Sequence, residues 1–503
     1  MAISISKNEE QYLISAISDW SISNGLAIKS LMYPNQNVST DSKNEVITPV
    51  PLTLSPSPFP RTCFEQALAV QRDYNHLYAL ISQDEDFLRG IVDEIRDLDD
   101  FITKLWGIHQ KVKNEGYTQN LSLGLFRSDY MVSIDEEVHD QPRIKQVEFN
   151  TIAASFAALS SRICELHRFL AQDFYHYTKD YHSFSISDLP ENKSIQGIVS
   201  GLRTAFNQYT KSSSKANRTC IIFLVQESER NIFDQRHLEY ALKKSDPPIP
   251  VFRLPFSEIL EHTKIKNTVN RELLYFLPTD PIVVFEVAVA YFRAAYDPLD
   301  YPNQSAWDAR FQIERSYAIK CPSILTQLAG SKKVQQVLVT SPVLNTFFPA
   351  DESRLSNLKD TFTDIYPLDD SPTGLKAQEL ALDTILCQNY VLKPQREGGG
   401  NNIYRSAIPI FLKSLPKSKW KCYILMKIIK TPQVQNIILR NGNTERGGVV
   451  VELGIYGSCL WNNATKKILL NEETGYLLRT KGDQSEEGGV SAGYGCLDSC
   501  YLV

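Results

Sequence analysis

Tyr390-Val391-Leu392-Lys393-Pro394-Gln395-Arg396-Glu397-Gly398-Gly399-Gly400-Asn401-Asn402 joins an apolar strand to two cations, a carboxylate, three consecutive glycines and, directly after them, two amides. Glycine has no Cβ, so successive N–H groups can turn inward and line a concave anion site. Lys393 and Arg396 add positive charge, and Glu397 and Asn402 add the oxygens that a hard divalent cation takes. Together these are the parts of a polyphosphate site. A glycine run after a strand is more often a plain turn. A solvated linker, however, has no use for a lysine, a carboxylate and two amides around its glycines.

A second oxygen cluster lies far upstream, at Lys145-Gln146-Val147-Glu148-Phe149-Asn150. Strand alternation places Gln146, Glu148 and Asn150 on one face, with Val147 and Phe149 toward the core. Two oxygen donors two residues apart can reach one divalent ion from the same side. The small residues that follow, Thr151 to Ser155, leave room for a ligand. Arg293, at the end of the apolar run Ile282 to Phe292, is the best single candidate for binding an anionic substrate, because a guanidinium left unpaired in a core is costly.

The bulk numbers bound the class. The chain has 503 residues, 43% hydrophobic and 22% charged, with a formal charge of -5. That length predicts two or three subdomains. No long Lys/Arg block occurs, which argues against a nucleic-acid partner. The apolar run at 282–292 is far too short to span a bilayer, and the first ten residues lack a basic start and an unbroken apolar stretch, so cytoplasm is the expected location. Nine scattered cysteines with no Cys-x-x-Cys argue against disulfides or a zinc site.

Along the chain, a helix is predicted from Ser6, with Glu9 completing a capping box, to Gly25. A proline-rich passage, Thr48 to Pro60, reads as surface. Residues 84–116 carry the spacing of one or two amphipathic helices. From Cys220 to about Leu328, short β-branched runs alternate with helices, which predicts a small α/β unit with a mainly parallel sheet. The last third is rich in strands and predicts an antiparallel meander that includes Cys422 to Ile429. The fold class is therefore α/β and α+β, divided at 1–217, 218–330 and 331–503.

Gly489-Val490-Ser491-Ala492-Gly493 matches a hydrolase nucleophile elbow, but no histidine follows His262, so the required order of residues fails. A glycine loop able to close over a ligand is the better reading. Phosphoryl transfer, which needs cations, metal and positioning more than imidazole, fits the inventory.

Several motifs then converge. Glu148-Phe149-Asn150-Thr151-Ile152-Ala153-Ala154-Ser155-Phe156, Glu229-Arg230-Asn231-Ile232-Phe233-Asp234-Gln235-Arg236, Leu328 to Gln336, Lys393 to Asn402, Glu452 to Gly457 and Leu477 to Lys481 closely resemble eukaryotic-type glutathione synthetases, which are ATP-grasp ligases. The resemblance runs from about Arg127 onward. It implies an ATP-grasp fold with a small parallel-sheet substrate subdomain, a helical N-terminal region, a Gly-rich lid at 393–405 and a closing loop at 481–493. It implies ligation of γ-glutamylcysteine to glycine with ATP as co-substrate, two Mg2+ ions per active site and a cytosolic homodimer.

By motif, Glu148, Asn150 and Glu397 would hold magnesium. ATP would be held by Lys332, Lys393, Glu397, Gly398, Gly399, Gly400, Asn401, Asn402, Tyr404, Met426, Lys427, Ile428, Ile429, Glu452, Lys481 and Glu487. Substrates would meet Arg127, Ala153, Ser155, Glu229, Arg230, Asn231, Gln235, Arg293, Tyr296, Arg479, Val490 and Ser491, with Arg127, Lys393 and Arg479 acting in catalysis. Lys427, Glu487, Ala153 and Ala294-Ala295 depart from residues common in the family and bear on substrate preference. The readings kept beside this one are a ligase that uses β-alanine or another small amine, with Val490-Ser491 deciding the choice, and a non-catalytic nucleotide-binding relative.

Overall fold

Ser6 Oγ accepts a hydrogen bond from the Glu9 N–H, and the Ser6 N–H donates to the Glu9 carboxylate, so the predicted capping box opens helix α1, Lys7–Ser23. Gly25, at φ +69°, ends it in the left-handed region. The computed structural model describes residues 6–29, 46–134, 141–173, 185–210, 218–340, 342–486, 488–490 and 493–503.

Helix α2 (Arg61–Gln83) is followed by α3 (Glu85–Ile95) and α4 (Asp100–Glu115), so the amphipathic stretch is two helices, with Asp84 and Asp99 capping them. Strand β1 (Leu121–Ser133) and strand β2 (Arg143–Asn150) pair antiparallel. Next come α5 (Ala157–Asp173), α6 (Ser194–Gln208), β3 (Arg218–Val225), α7 (Ile232–Lys243), β4 (Val251–Pro255), β5 (Asp280–Phe292) and the short β6 (Ile319–Cys321). Helix α8 (Lys332–Thr340) leads into a separate region, with β7 (Ile365–Pro367), β8 (Tyr390–Pro394), β9 (Ile403–Tyr404) and β10 (Tyr423–Lys427). Strands β11 (Val434–Arg440), β12 (Asn443–Asn462) and β13 (Ile468–Gly482) close the pattern.

Among the described residues, β1 is the centre of a 13-stranded sheet. It pairs antiparallel with β12 over Leu121 to Tyr130 and parallel with β6 at Ser122. Through β6 the sheet continues into β5, β3 and β4, all mutually parallel as predicted; the strands at 263–265 and 273–277 add an antiparallel edge. The α/β unit is thus one wing of a continuous sheet. Residues along β1 are buried on both faces, as expected when helices cover both sides. Helix α2 covers one face, where Tyr78 stacks on Phe149 with ring centroids 3.8 Å apart. Helix α6 covers the other, and Ser458 donates to the Gly197 carbonyl there.

Two expectations need correction. Strand β10 does not join the meander: it pairs with β7 and β8 in a separate four-stranded antiparallel sheet. The chain leaves this sheet through Ile428 to Thr431, and Pro432 has no N–H to continue the ladder. The small sheet carries its own core: Leu392 and Leu425 pack with Leu412 and Trp420 on one face, while Val391, Ile424 and Met426 cluster on the other.

The proline-rich passage is the second correction. Val50, Leu52, Leu54 and Phe59 are buried, not exposed. The short strands at 52–53 and 57–59 thread between β11 and the strands at 496–498 and 500–502. Proline is tolerated because the neighbouring residues make the ladder bonds: the Leu54 N–H donates to Ile437 O at 2.9 Å and the Ser57 N–H to Ser499 O at 3.0 Å.

His167 pins α5 to this seam. Its Nε2–H donates to the Thr53 carbonyl at 3.0 Å, and Nδ1 lies 2.7 Å from Ser499 Oγ. Burial favours the neutral ring and lowers its pKa from 6.5 to about 4. The unfolded chain therefore binds the proton first, and the stability that His167 contributes is full above pH 6.5 and lost as pH falls toward 4, up to about 3 kcal/mol. Asp498 pulls the other way, since burial raises its carboxyl from 3.8 to about 6, and its contribution is lost as pH rises through that range. The expected result is a shallower loss of denaturant stability below pH 6.5 in His167→Gln than in the wild type, with Asp498 common to both. Parallel curves would remove the assignment.

Candidate active site

Between the main sheet and the small one lies a cavity of about 930 Å³. Its floor comes from β1 and β2, through Arg127, Glu148 and Asn150, and from the turn Ile152 to Phe156. The small sheet and its exit loop contribute Val391, Lys393, Tyr404, Met426, Lys427, Ile428 and Ile429. Val391 and Met426 belong to the apolar face of that sheet, so this wall suits a flat, weakly polar ring. The glycine segment adds Glu397, Gly398, Gly399, Asn401 and Asn402; β12 and β13 add Glu452, Arg479 and Lys481; the loop beyond adds Gly488, Gly489 and Val490.

Glu148 and Glu397, 249 positions apart in sequence, share one ammonium: Lys332 Nζ lies 3.0 Å from Glu148 Oε2 and 3.3 Å from Glu397 Oε1. Lys332 is itself buried, at the first turn of α8, where the helix dipole disfavours a cation. Two carboxylates about one cation cannot both be held low. Burial raises Glu148, but Lys332, Lys393 and Arg479 outweigh it and hold this carboxyl well below its ordinary range. Burial and the charge on Glu148 raise Glu397 to about 7, against the pull of Lys332. The hydrogen bonds of Asn150, to Arg127 O and Asp129 Oδ2, both run through its amide nitrogen, leaving its carbonyl oxygen as a third hard donor. This all-oxygen set fits magnesium.

Lys393 is also buried, and its hydrogen bond goes to a neutral group, the Val147 carbonyl at 3.1 Å. No carboxylate lies within ion-pair distance of its Nζ among the described residues, and burial lowers its pKa against the attraction of Glu148. A buried ammonium without a contact counter-ion is a site awaiting an anion. Arg396, by contrast, is already tied to Asp99 at 2.6 Å.

Beside Glu148 and Asn150 on the floor, Arg127 forms a fork with Asp129, with Nε–Oδ1 at 2.6 Å and Nη2–Oδ2 at 2.8 Å, and Arg479 reaches both Glu452 and Asp129. Arg127 Nη1 and the Tyr456 hydroxyl both donate to the Ser155 carbonyl. Gly454 makes room for the fork: a Cβ there would sit 2.7 Å from both Arg127 Cδ and Asp129 Oδ1. Overpacking of this kind typically costs 1–3 kcal/mol. Gly454→Ala is therefore expected to cut kcat/KM for the acyl substrate by roughly tenfold or more while ATP affinity holds, as read by steady-state kinetics. An unchanged kcat/KM would mean the fork adapts.

A neighbouring cluster sits behind Ser155. Arg293 Nη2 donates to Ser155 Oγ at 2.9 Å and to Asp234 at 3.2 Å, and Tyr291 lies beside Nη1. The premise of an unpaired guanidinium is thus corrected, because Asp234 supplies the countercharge. Gln235 donates to Glu229 and accepts from Arg253, the Asn231 N–H donates to Glu229, and Arg230 Nε donates to Lys29 O. These residues and Gly400 do not line the cavity; Ala153, Ser155 and Tyr296 do. Glu487 and Ser491 lie outside the described residues.

Asp129, Asp234 and Tyr456 were not singled out from sequence. Asp129 was within reach of it, since strand alternation puts Arg127 and Asp129 on one face. Asp234 was not: it caps the Phe156 and Ala158 N–H groups across 78 and 76 positions.

A small antiparallel sheet closing over a larger one, with an apolar wall beside buried lysines and paired carboxylates, is the architecture of an ATP-grasp ligase. A family model described as eukaryotic glutathione synthase, ATP binding domain, matches residues 7–502, and the chain belongs to that family. It is 40% identical over 490 residues to the glutathione synthetase large chain of Schizosaccharomyces pombe, covering 94% of each chain, and 36% identical over 499 residues to glutathione synthetase of Homo sapiens, covering 99% of this chain and 98% of that one. A solved glutathione synthetase-like effector from Globodera pallida in apoform shares the fold, with TM-score 0.75 and 23% identity over 100% of this chain and 99% of that one. The chain is accordingly an ATP-dependent ligase of the glutathione synthase type.

Proposed function

We propose that this chain joins γ-glutamylcysteine to glycine through an acyl phosphate, releasing ADP and phosphate. The observation that carries the reading is the buried Lys393 ammonium, with no contact counter-ion among the described residues, beside two carboxylates that share Lys332 in one cavity. Adenine lies against Met426 to Ile429, and the phosphates extend toward Lys393, Lys332 and the glycine segment, with Gly400, Tyr404, Glu452, Lys481 and Glu487 completing the nucleotide contacts. Glu148, Asn150 and Glu397 would hold magnesium, two ions per site, which would supply neutralisation of phosphate charge.

Arg127 and Arg479 orient the cysteinyl carboxylate of the dipeptide. Its oxygen attacks the γ-phosphorus and ADP leaves; the glycine amine then attacks the acyl carbon, expelling phosphate and losing a proton. Arg127 faces the oxyanion formed in that second step. Ser155 and Tyr296 receive the dipeptide from the cavity, with Arg293, Glu229, Arg230, Asn231 and Gln235 behind Ser155 taking the part that reaches past it, and Val490 with Ser491 closes over glycine and excludes water.

We divide the chain into 1–217, 218–330 and 331–503 and read the functional unit as a cytoplasmic homodimer. Among the described residues no helix is long and apolar enough to cross a membrane. The test is phosphate release from ATP with each substrate omitted in turn. Release that needs both γ-glutamylcysteine and glycine supports the reading; release without the dipeptide, or faster release with β-alanine than with glycine, would replace it.

A further inference from the structure

We infer that Asp129 is a positioning residue for the ligation, holding Arg127 and Arg479 side by side and away from the metal-site carboxylate Glu148. Its side chain is buried in β1 and gathers four donors from three residues: Arg127 through Nε and Nη2, Arg479 through Nη2 at 3.2 Å, and Asn150 through Nδ2 at 3.0 Å. All three residues line the cavity, and Asp129 does not.

A carboxylate that served only to neutralise a core arginine would need one partner. Here a second guanidinium is drawn in although Glu452 already pairs it. Two guanidiniums in contact with one carboxylate repel each other, and each is also attracted by Glu148. Neither forms an ion pair with Glu148, whose contact cation is Lys332. Asp129 supplies the nearer, geometrically matched anion: a fork to Arg127 fixes the plane of that guanidinium, which a point charge would not. Its Nη1 is then left to the Ser155 carbonyl, at the edge of the cavity. Without Asp129, the pull of Glu148 on Arg127 would act unopposed by a contact carboxylate, and an arginine drawn to Glu148 would compete with the metal.

The inference rests on the ligase reading above, so the wild-type chain is assayed first. Absence of phosphate release dependent on dipeptide and glycine would defeat that reading and this inference with it. With wild-type activity in hand, Asp129→Asn keeps the shape and removes the charge. The expected result is a kcat loss on the order of 10²-fold, a KM for γ-glutamylcysteine raised about tenfold, and a higher magnesium concentration for half-maximal rate, with KM for ATP changed less than about threefold. Asp129→Glu keeps the charge, and with it the countercharge the fold needs, but shifts the carboxylate by one methylene; it is expected to lose dipeptide kcat/KM while its Tm stays near that of the wild type. Full activity in Asp129→Glu, or equal losses toward ATP and dipeptide in Asp129→Asn, would overturn the assignment.

Discussion

Lys393→Met is expected to lower kcat by on the order of 10³-fold or more while leaving the protein at least as stable as before. The two effects diverge for one physical reason. The ammonium is buried, its hydrogen bond is to a neutral carbonyl, and burial already drives its pKa down. A methionine of similar length removes that desolvation cost and fills the same space. What it cannot do is share the charge of a phosphoryl group in transit, the service for which a cation in a dry site is worth most. Steady-state kinetics and a thermal melt on the same sample test this. A fall in Tm with activity largely retained would make Lys393 a structural residue.

Lys332→Met has the opposite signature. Its buried ammonium is the cation that Glu148 and Glu397 share, so its loss leaves two partly buried carboxylates facing each other. Removing one partner of a buried ion pair typically costs about 3–5 kcal/mol. The loss depends on pH. In the wild type the Glu397 carboxyl titrates at about 7 against 4.5 in the unfolded chain, so its stabilising contribution is full below pH 4.5 and lost as pH rises through 7. In the variant that decline steepens and reaches to higher pH. Melts at pH 5 and pH 8 are expected to differ by more than in the wild type, and excess Mg2+ to restore part of the gap by binding the folded form. A variant indifferent to both pH and Mg2+ would show that the carboxylates are not held together.

The same two lysines mark how far the sequence could be read. The glycine segment and Glu148 announced themselves by composition, because oxygen donors beside glycines have few structural uses. Lys332, within a Lys-Lys pair near glycine, reads from sequence as a surface salt-bridge partner sooner than a ligand, and only the fold buries it. The proline-rich passage misled because proline is the usual mark of a loop, and only strands more than 380 positions away reveal that it lies in the core. The placement of β10 failed for a related reason: alternation identifies a strand but not its partner, and β10 pairs with strands that precede it and not with those that follow. Asp234 had no local signal at all, since its caps are to backbone groups from another part of the chain.

The seam at Ser57 and Asp498 has a consequence for biosynthesis. Ser57 Oγ donates to Asp498 Oδ2 at 2.6 Å across 441 positions, and the Asn436 amide closes on Ser57 from β11. Contacts of such range are the slowest to form, because the entropy of closing so long a loop must be met first. On the ribosome, residues 50–59 emerge early and wait, apolar and unpaired, for partners synthesised hundreds of residues later. At ~5–20 residues per second that interval is tens of seconds. During it, the passage is a natural docking point for a chaperone and a point of risk for aggregation.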